Sequence, residues 1–465
     1  MANPFVSEVE KQLLLGDFPE ALRIARMGLA LYCDDPALWE FAANCATQLA
    51  DYAYAATCWQ RVIELAPSTA YAYSDLGILL ERLDRSAEAE ALYRTALQLS
   101  PNYAAAHSNL GALLADLGRE PEAEACYRTA LAIEPDFQPA RMNLGLLLLM
   151  QERFAEGWPL YEGRLFVHAT PGTPSNASCR QWQGEPLPGK SILVVPEQGL
   201  GDAIQFCRYL PWLKAQGASR VTLVCWPSQL ALMETLAGAD EVISLADLKP
   251  PIGNHDYWTF LLSLPLHART DLTNIPAQIP YLLPDAVRVA AQATLLAGDG
   301  LRVGIVWRGN PQHLNDGDRS LPGLAVLAPL WSVAGVRFFS LQKSDDLLPG
   351  VPSGLPLLDL APAIDDFSDT AALLSQLDLL ITVDTAIAHL AGALGVPCWI
   401  LLPYFKTDWR WLRGRNDNPW YPKTRLFRQP KRGDWESPVA EMAIALSLLK
   451  TQIADAKTSQ SRRRP

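Results

Sequence analysis

A carboxylate, a hydroxyl and an imidazole stand close together in the run Val383-Asp384-Thr385-Ala386-Ile387-Ala388-His389. The residues before it, Leu379-Leu380-Ile381-Thr382-Val383, read as a buried strand, and Ala386 to Leu394 reads as a helix. Asp384 and Thr385 therefore sit where a strand hands over to a helix. The free N–H groups and the dipole at such a start favour an anion, a diphosphate for example. His389 follows Thr385 by four residues, shares its helix face, and can donate a hydrogen bond into the same place. The plainer account of these residues is an N-cap and a helix histidine with its bonds satisfied.

A second carboxylate, Asp202, closes the turn Glu197-Gln198-Gly199-Leu200-Gly201-Asp202 after the strand Ser191-Ile192-Leu193-Val194-Val195-Pro196. There it can take a proton from an attacking hydroxyl as a general base. The competing account is a capping box, with Asp202 at the cap and Gln205 three residues on. Arg308, Arg319 and Lys343 follow strands further along, and each can offset charge on a departing diphosphate; Arg319 is the first choice. Asp316-Gly317-Asp318 spells a D-x-D metal motif in a polar loop; the fold class that the resemblance below implies works without metal, so no metal or cofactor is expected. The aromatic stretch Asp408-Trp409-Arg410-Trp411-Leu412, with Asn418-Pro419-Trp420-Tyr421-Pro422, reads as packing, with Asp408 near enough to reach a cleft.

These residues need a scaffold of alternating strands and helices. Strands are expected at 191–196, 221–225, 241–245 and 257–260, with a helix from Ala203 to Gln216. The pattern restarts at Leu301–Trp307 and continues through 336–341, 379–383 and 398–402. Such alternation implies parallel sheets covered on both faces. Two doubly wound halves in sequence imply a cleft at the carboxyl ends of their strands. A dinucleotide-dependent oxidoreductase fits poorly, because Gly199-x-Gly201 lacks the third glycine of that fingerprint.

Asp384, Thr385, Ala386 and His389 match the D-T-G/A-x-x-H pattern of family 9 glycosyltransferases, which include the heptosyltransferases, and Pro397 lies beyond. Gly201-Asp202-Ala203-Ile204 matches that family's G-D-x-I, and Trp307-Arg308-Gly309-Asn310 with Arg319-Ser320-Leu321-Pro322 resembles the opening of its second lobe. The resemblance spans about residues 190–435. It implies a GT-B type α/β fold of two Rossmann-like lobes and a nucleotide-sugar donor held by Asp384, Thr385, Ala386, His389, Arg319, Arg308 and Gly201, to which the reading of the residues adds Lys343 and Gly199 as donor-binding candidates. It also implies Asp202 as the base of a metal-independent, inverting transfer. Arg319 stands where heptosyltransferases usually carry lysine. The chain also carries an N-terminal extension, which resembles bacterial fusions of repeats to a family 9-like domain. That architecture parallels the O-linked N-acetylglucosamine transferases, so the donor sugar does not carry over.

The extension has a period of 34. Ala21, Ala55, Ala89, Ala123 and Gly157 keep it, as do Gly77, Gly111 and Gly145, the prolines Pro67, Pro101 and Pro135, and the aromatics Trp59, Tyr93, Tyr127 and Tyr161. This is the tetratricopeptide signature. It predicts an α-helical solenoid of about five helix pairs over residues 1–169, each with small residues where its helices meet and an aromatic filling the gap toward the next unit. Since one pair cannot bury its own apolar face, the pairs must stack. Asn44, Ser74, Asn109 and Asn143 are candidate groove residues for a protein or peptide acceptor; the plainer account has them capping or solvating helices.

The remaining boundaries are a Pro/Gly-rich linker at 170–190, lobes at 191–297 and 298–450, and a disordered basic tail at 451–465. A net charge of -11 argues against nucleic acid as a general partner. Eight cysteines include no C-x-x-C pair, which suits neither zinc nor a disulfide framework and suggests a reducing, cytoplasmic setting. No secretory signal or spanning segment is evident. The function expected is a glycosyltransferase acting on a protein recruited by the repeats. The alternatives are a glycan acceptor such as lipopolysaccharide, or a non-catalytic repeat scaffold with a nucleotide-sensing α/β part.

Overall fold

The computed structural model describes residues 3–167, 179–248, 254–276, 278–313, 315–343 and 354–461. The chain forms two compact units: residues 1–147 with 160–167, and residues 148–159 with 168–465.

The first unit is a run of helix pairs: Pro4–Leu14 with Phe18–Leu31, Pro36–Gln48 with Tyr52–Leu65, Ala70–Arg82 with Ser86–Leu99, and Ala104–Asp116 with Glu120–Ile133. A further pair, Gln138–Met150 and Phe154–Tyr161, begins in it. Asp17 and Asp51, 34 apart, cap their helices by accepting from the N–H of Glu20 and Tyr54 at 3.1 and 3.2 Å. In the next units the same step falls on Arg85 and Arg119, and neither makes a side-chain cap. The period of glycines and aromatics has one cause. A Cβ on Gly77 would come within 2.6 Å of the Tyr93 ring, and one on Gly111 within 2.8 Å of Tyr127. The aromatic thus fills the gap inside its own unit, where the expectation placed it toward the next.

The second unit holds two parallel sheets. The first contains β1 (Arg180–Gln181), β2 (Ser191–Val195), β3 (Arg220–Cys225), β4 (Glu241–Ser244) and β5 (Tyr257–Phe260), in the order β1-β5-β2-β3-β4. The second contains β6 (Leu301–Val306), β7 (Val336–Ser340), β8 (Leu357–Asp359), β9 (Leu379–Val383), β10 (Cys398–Leu402) and β11 (Thr424–Arg428), in the order β11-β10-β9-β6-β7-β8. β2, β9 and β10 are apolar and buried along almost their whole length, as strands covered on both faces must be. In the first sheet the order reverses between β2 and β5, in the second between β6 and β9. Such reversals open a crevice beyond the strands' carboxyl ends.

Several boundaries differ from expectation. The helix expected from Ala203 to Gln216 is three pieces, Leu200–Phe206, a 3-10 turn Cys207–Tyr209, and Leu210–Ala215; Pro211, lacking an N–H, starts the last piece. Part of the expected linker is strand β1, paired in parallel with β5, while residues 170–178 lie outside the described residues. The segment expected to be a disordered tail carries the helix Glu436–Ser461, and 462–465 lie outside the described residues. β8 and β11 escaped the pattern because they are a three-residue edge strand and a run broken by arginines.

Residues 148–159 belong to the core of the second unit. Phe154 stacks on Trp158 at 5.9 Å, Trp158 meets Trp409 edge-on at 5.4 Å, and Phe154 meets Trp420 at 6.4 Å. The Trp158 indole donates to the Thr270 carbonyl at 2.8 Å.

Candidate functional site

The loops at the reversal in the second sheet carry the residues singled out by type. β9 delivers Asp384 and Thr385 to the nine-residue helix Ala386–Leu394. Thr385 is the extended N-cap residue, but its side chain makes no capping bond; the hydroxyl instead lies 3.2 Å from that of Thr382. The Thr385 side chain thus leaves the first-turn N–H groups alone, while the Thr385 carbonyl accepts that of Ala388 at 3.0 Å. Gly395, at φ 71°, closes the helix in the left-handed conformation that glycine adopts freely. Burial pushes the Asp384 carboxyl up to about 7, and Asp408 adds to the rise, while Arg319, Trp411 and Arg410 pull it down.

Arg319 comes from the loop after β6. Its side chain is mostly buried, with Nε 3.4 Å from Asp316, and a Cβ on Gly309 would strike its guanidinium at 2.8 Å. Burial and Arg319 depress the His313 imidazole, a neighbour that the sequence did not single out. The other two candidate cations do something different. Arg308 spends its guanidinium on the carbonyls of Leu321 and Pro322, at 3.4 and 3.2 Å, and so shapes the loop. Lys343 donates to the Ile364 carbonyl. Asp316 and Asp318 are drawn to separate partners, Asp316 to the Ser320 hydroxyl at 2.8 Å and Asp318 to Arg432 at 3.0 Å.

Asp202 lies at the start of helix Leu200–Phe206, beyond the carboxyl end of β2. Both of its oxygens are engaged. One accepts from the Gly199 N–H at 2.7 Å, and the other pairs with Arg410. Only half of a capping box is present, and it is offset from its expected place: Gly199 is the cap, with no side chain to give, and Asp202, the third helical residue, accepts its N–H. Gln205 is not part of it; it is fully buried, and neither atom of its amide has a partner. Burial raises the Asp202 carboxyl, opposed first by Arg410 and reinforced by Asp408.

His389, expected to donate into the helix start, turns one of its ring nitrogens to another partner. Its ring is buried, stacked 5.2 Å from Trp411, with Nδ1 3.0 Å from the Tyr421 hydroxyl. Burial depresses it to about 3, so it is neutral at ordinary pH. A Cβ on Gly201 would lie 2.7 Å from this ring and 3.3 Å from the Ala386 Cα. Gly201 and Ala386 are therefore small because the two lobes' helices touch here. Gly199 serves as a cap. Beside this contact Arg208 is buried, donating to the carbonyls of Gln205 and Trp420 at 3.0 Å each and to the Tyr281 hydroxyl at 3.1 Å. The tryptophans Trp409, Trp411 and Trp420 are buried, as packing residues should be, and Asp408 pairs with Arg410 at 2.9 Å.

In the repeat unit, Asn109 donates to the hydroxyl of Ser74 at 3.1 Å, a bond between neighbouring pairs. Ser74 is fully buried and so leaves the groove set. Asn44 is exposed, and Asn109 and Asn143 are half-buried.

Two tetratricopeptide repeat profiles match, over residues 68–135 and 108–163, so the N-terminal region is a tetratricopeptide array. Protein FlbA of Caulobacter vibrioides is 29% identical over 317 residues, 63% of this chain and 52% of that protein. The chain therefore spans about half the length of that curated relative. Among solved structures, MamA is 22% identical over 34% of this chain and 92% of its own, with a TM-score of 0.31. A thermophilic tetratricopeptide protein of Thermus thermophilus is 24% identical over 35% of this chain and 89% of its own, with a TM-score of 0.31. The pilus biogenesis factor PilW is 23% identical over 36% and 79%, with a TM-score of 0.33.

Proposed function

We propose that the second unit is a metal-independent, inverting glycosyltransferase of the GT-B type, similar to family 9, and that the repeats present its acceptor, a protein. The observation that carries this reading is the convergence of strand ends. The loops after β6 and β9 carry Arg319 and the start of helix Ala386–Leu394, where the cap residue makes no side-chain bond, and Asp202 follows the end of β2. The donor diphosphate would lie against the N–H groups after Thr385. An acceptor hydroxyl would attack the anomeric carbon, giving its proton to Asp202. As that C–O bond forms, the bond to phosphate breaks, and the diphosphate leaves with Arg319 offsetting its charge. A reducing, cytoplasmic setting suits the eight cysteines, all free.

The test is a screen of nucleotide sugars for slow donor hydrolysis, with calorimetry of the corresponding nucleoside diphosphates. Binding and hydrolysis of one donor class are expected, and both should weaken in Arg319→Ala. Hydrolysis untouched by that substitution would remove Arg319 from the site. One observation favours the rival scaffold reading: Asp202 already spends both oxygens inside the protein. A protein that no nucleoside diphosphate or nucleotide sugar shifts in melting is that scaffold. A glycan acceptor, lipopolysaccharide included, is distinguished by offering the active donor both acceptor types.

A further inference from the structure

Arg410 is almost wholly buried, at 5% exposure, yet carries a full charge between the lobes. It follows β10 in the second lobe, where Asp408 caps its turn by accepting the Arg410 N–H at 2.9 Å. One guanidinium nitrogen faces the two oxygens of Asp408 at 2.9 and 3.1 Å, and the other meets Asp202 of the first lobe. The flat of the group lies over Trp409, 4.8 Å from its ring centre, and 5.4 Å from that of Phe206. The Asn418 amide holds the Arg410 carbonyl at 3.0 Å. Only a planar group with forked donors fits two carboxylates and an aromatic face at once.

We propose that Arg410 is a positioning residue of the transfer site, a guanidinium bridge from Asp408 to Asp202 that keeps Asp202 charged and fixed between the two lobes. This rests on the reading of Asp202 as the base. The titratable and charged groups that face Asp202 are Arg410, Asp408 and His313, and burial and Arg319 disfavour the charged form of His313. Arg410 is thus the cation that opposes Asp408 at the base. Without it, two carboxylates face each other in a desolvated place, and Asp202 keeps its proton until higher pH.

The experiment measures donor turnover against pH in the full chain. Arg410→Gln should move the acid limb upward by roughly 1–3 in pH, the usual effect of an opposite charge at this range, with turnover recovering above it. Arg410→Lys, which keeps the charge but loses the fork, should leave the limb near its original place while turnover falls at every pH. Asp408→Asn should move it downward, because a like charge is gone. Opposite displacements are what a merely structural role cannot produce. An acid limb unmoved in Arg410→Gln overturns the proposal. Should the unaltered protein turn over no donor, the transferase reading fails, and the bridge is decided by melting. Across pH, Arg410→Gln and Asp202→Asn should be strongly non-additive at neutral pH and additive once Asp202 is protonated. Additivity at every pH overturns the bridge.

Discussion

The repeat unit and the α/β unit both carry many ion pairs, and they use them oppositely. In the repeats the pairs are copied along the chain. Arg85–Glu88 recurs as Arg119–Glu122, and Arg94–Glu90 as Arg128–Glu124, each step being 34 residues. Their arginines all stand open to solvent. Such a pair contributes little and costs little, so a repeat can duplicate it without adjusting anything else. In the α/β unit Arg208 and Arg410 are buried, and each is met by partners far away in sequence that follow no repeat. A buried charge must be matched atom by atom, because losing one partner leaves the other uncompensated. Arg164, buried beside Glu162 at the end of the repeat unit, is an exception there; in the α/β unit the buried aperiodic charges mark where chemistry is to be sought.

The sharpest way to break this contrast is Asp202→Asn. Transfer should fall by about 10²–10⁴-fold, the usual worth of a general base. Arg410 would also lose a charged partner, which costs about 1.5–3 kcal/mol of stability. Single-turnover rates and melting read the two effects separately. Near-normal transfer would place Asp202 with the structural ion pairs.

Next in size is Trp158→Ala. This residue precedes the Pro/Gly-rich stretch, yet it packs on Trp409 and donates to Thr270. Its loss should cost about 3–5 kcal/mol in chemical denaturation of the second unit. By the same logic, a chain begun inside the expected linker, near Ser178, lacks Phe154 and Trp158 and should melt well below one begun before Gln138. Equal melting of the two would contradict the division of the chain described above.

A smaller effect concerns pH. Asp384 is raised from 3.8 to about 7 by burial, so between those values the folded state binds more protons than the unfolded one. Its stabilising contribution is complete below about pH 4 and drains away as pH rises to about 7. Asp384→Asn should match the unaltered protein near pH 4 and melt above it at pH 8. In the repeats Asp75, raised to about 6 by burial and Glu40, gives the same sign over a narrower window. An Asn variant of Asp384 that melts lower at pH 8 would mean that its carboxylate is held by partners that favour the charge.

The smallest effect is expected from Arg85→Ala, which removes one exposed, copied pair. Melting should stay unmoved within measurement, and any residue of an effect should vanish in high salt. A clear loss would show that the copied pairs are not interchangeable decoration.

Much of this was legible in the residues alone. The 34-residue period, the apolar strands and the helix Ala386–Leu394 could be read directly, because each obeys a local rule: small against aromatic, an apolar run between turns, a glycine at the helix end. The place of Asp384 and Thr385 followed from the same rules. The roles of Gly201, His389 and Arg410 did not. Gly201 resembled a phosphate-turn glycine, but it is small to admit His389 from the other lobe. His389 shares a helix with Thr385, but its bond goes to Tyr421, 32 residues away. Arg410 hid inside an aromatic run that reads as packing.

The sequence by itself determined the two kinds of architecture, the order of their elements and which carboxylates end at strand tips. Periodicity and helix capping act between residues a few positions apart, so they survive in the one-dimensional record. Only the tertiary structure decided which groups share a dielectric environment. Arg410 and Asp202 are 208 residues apart, and nothing in either segment specifies the other. Their pairing exists because two sheets present their carboxyl ends to one another, and burial there makes each charge depend on the next.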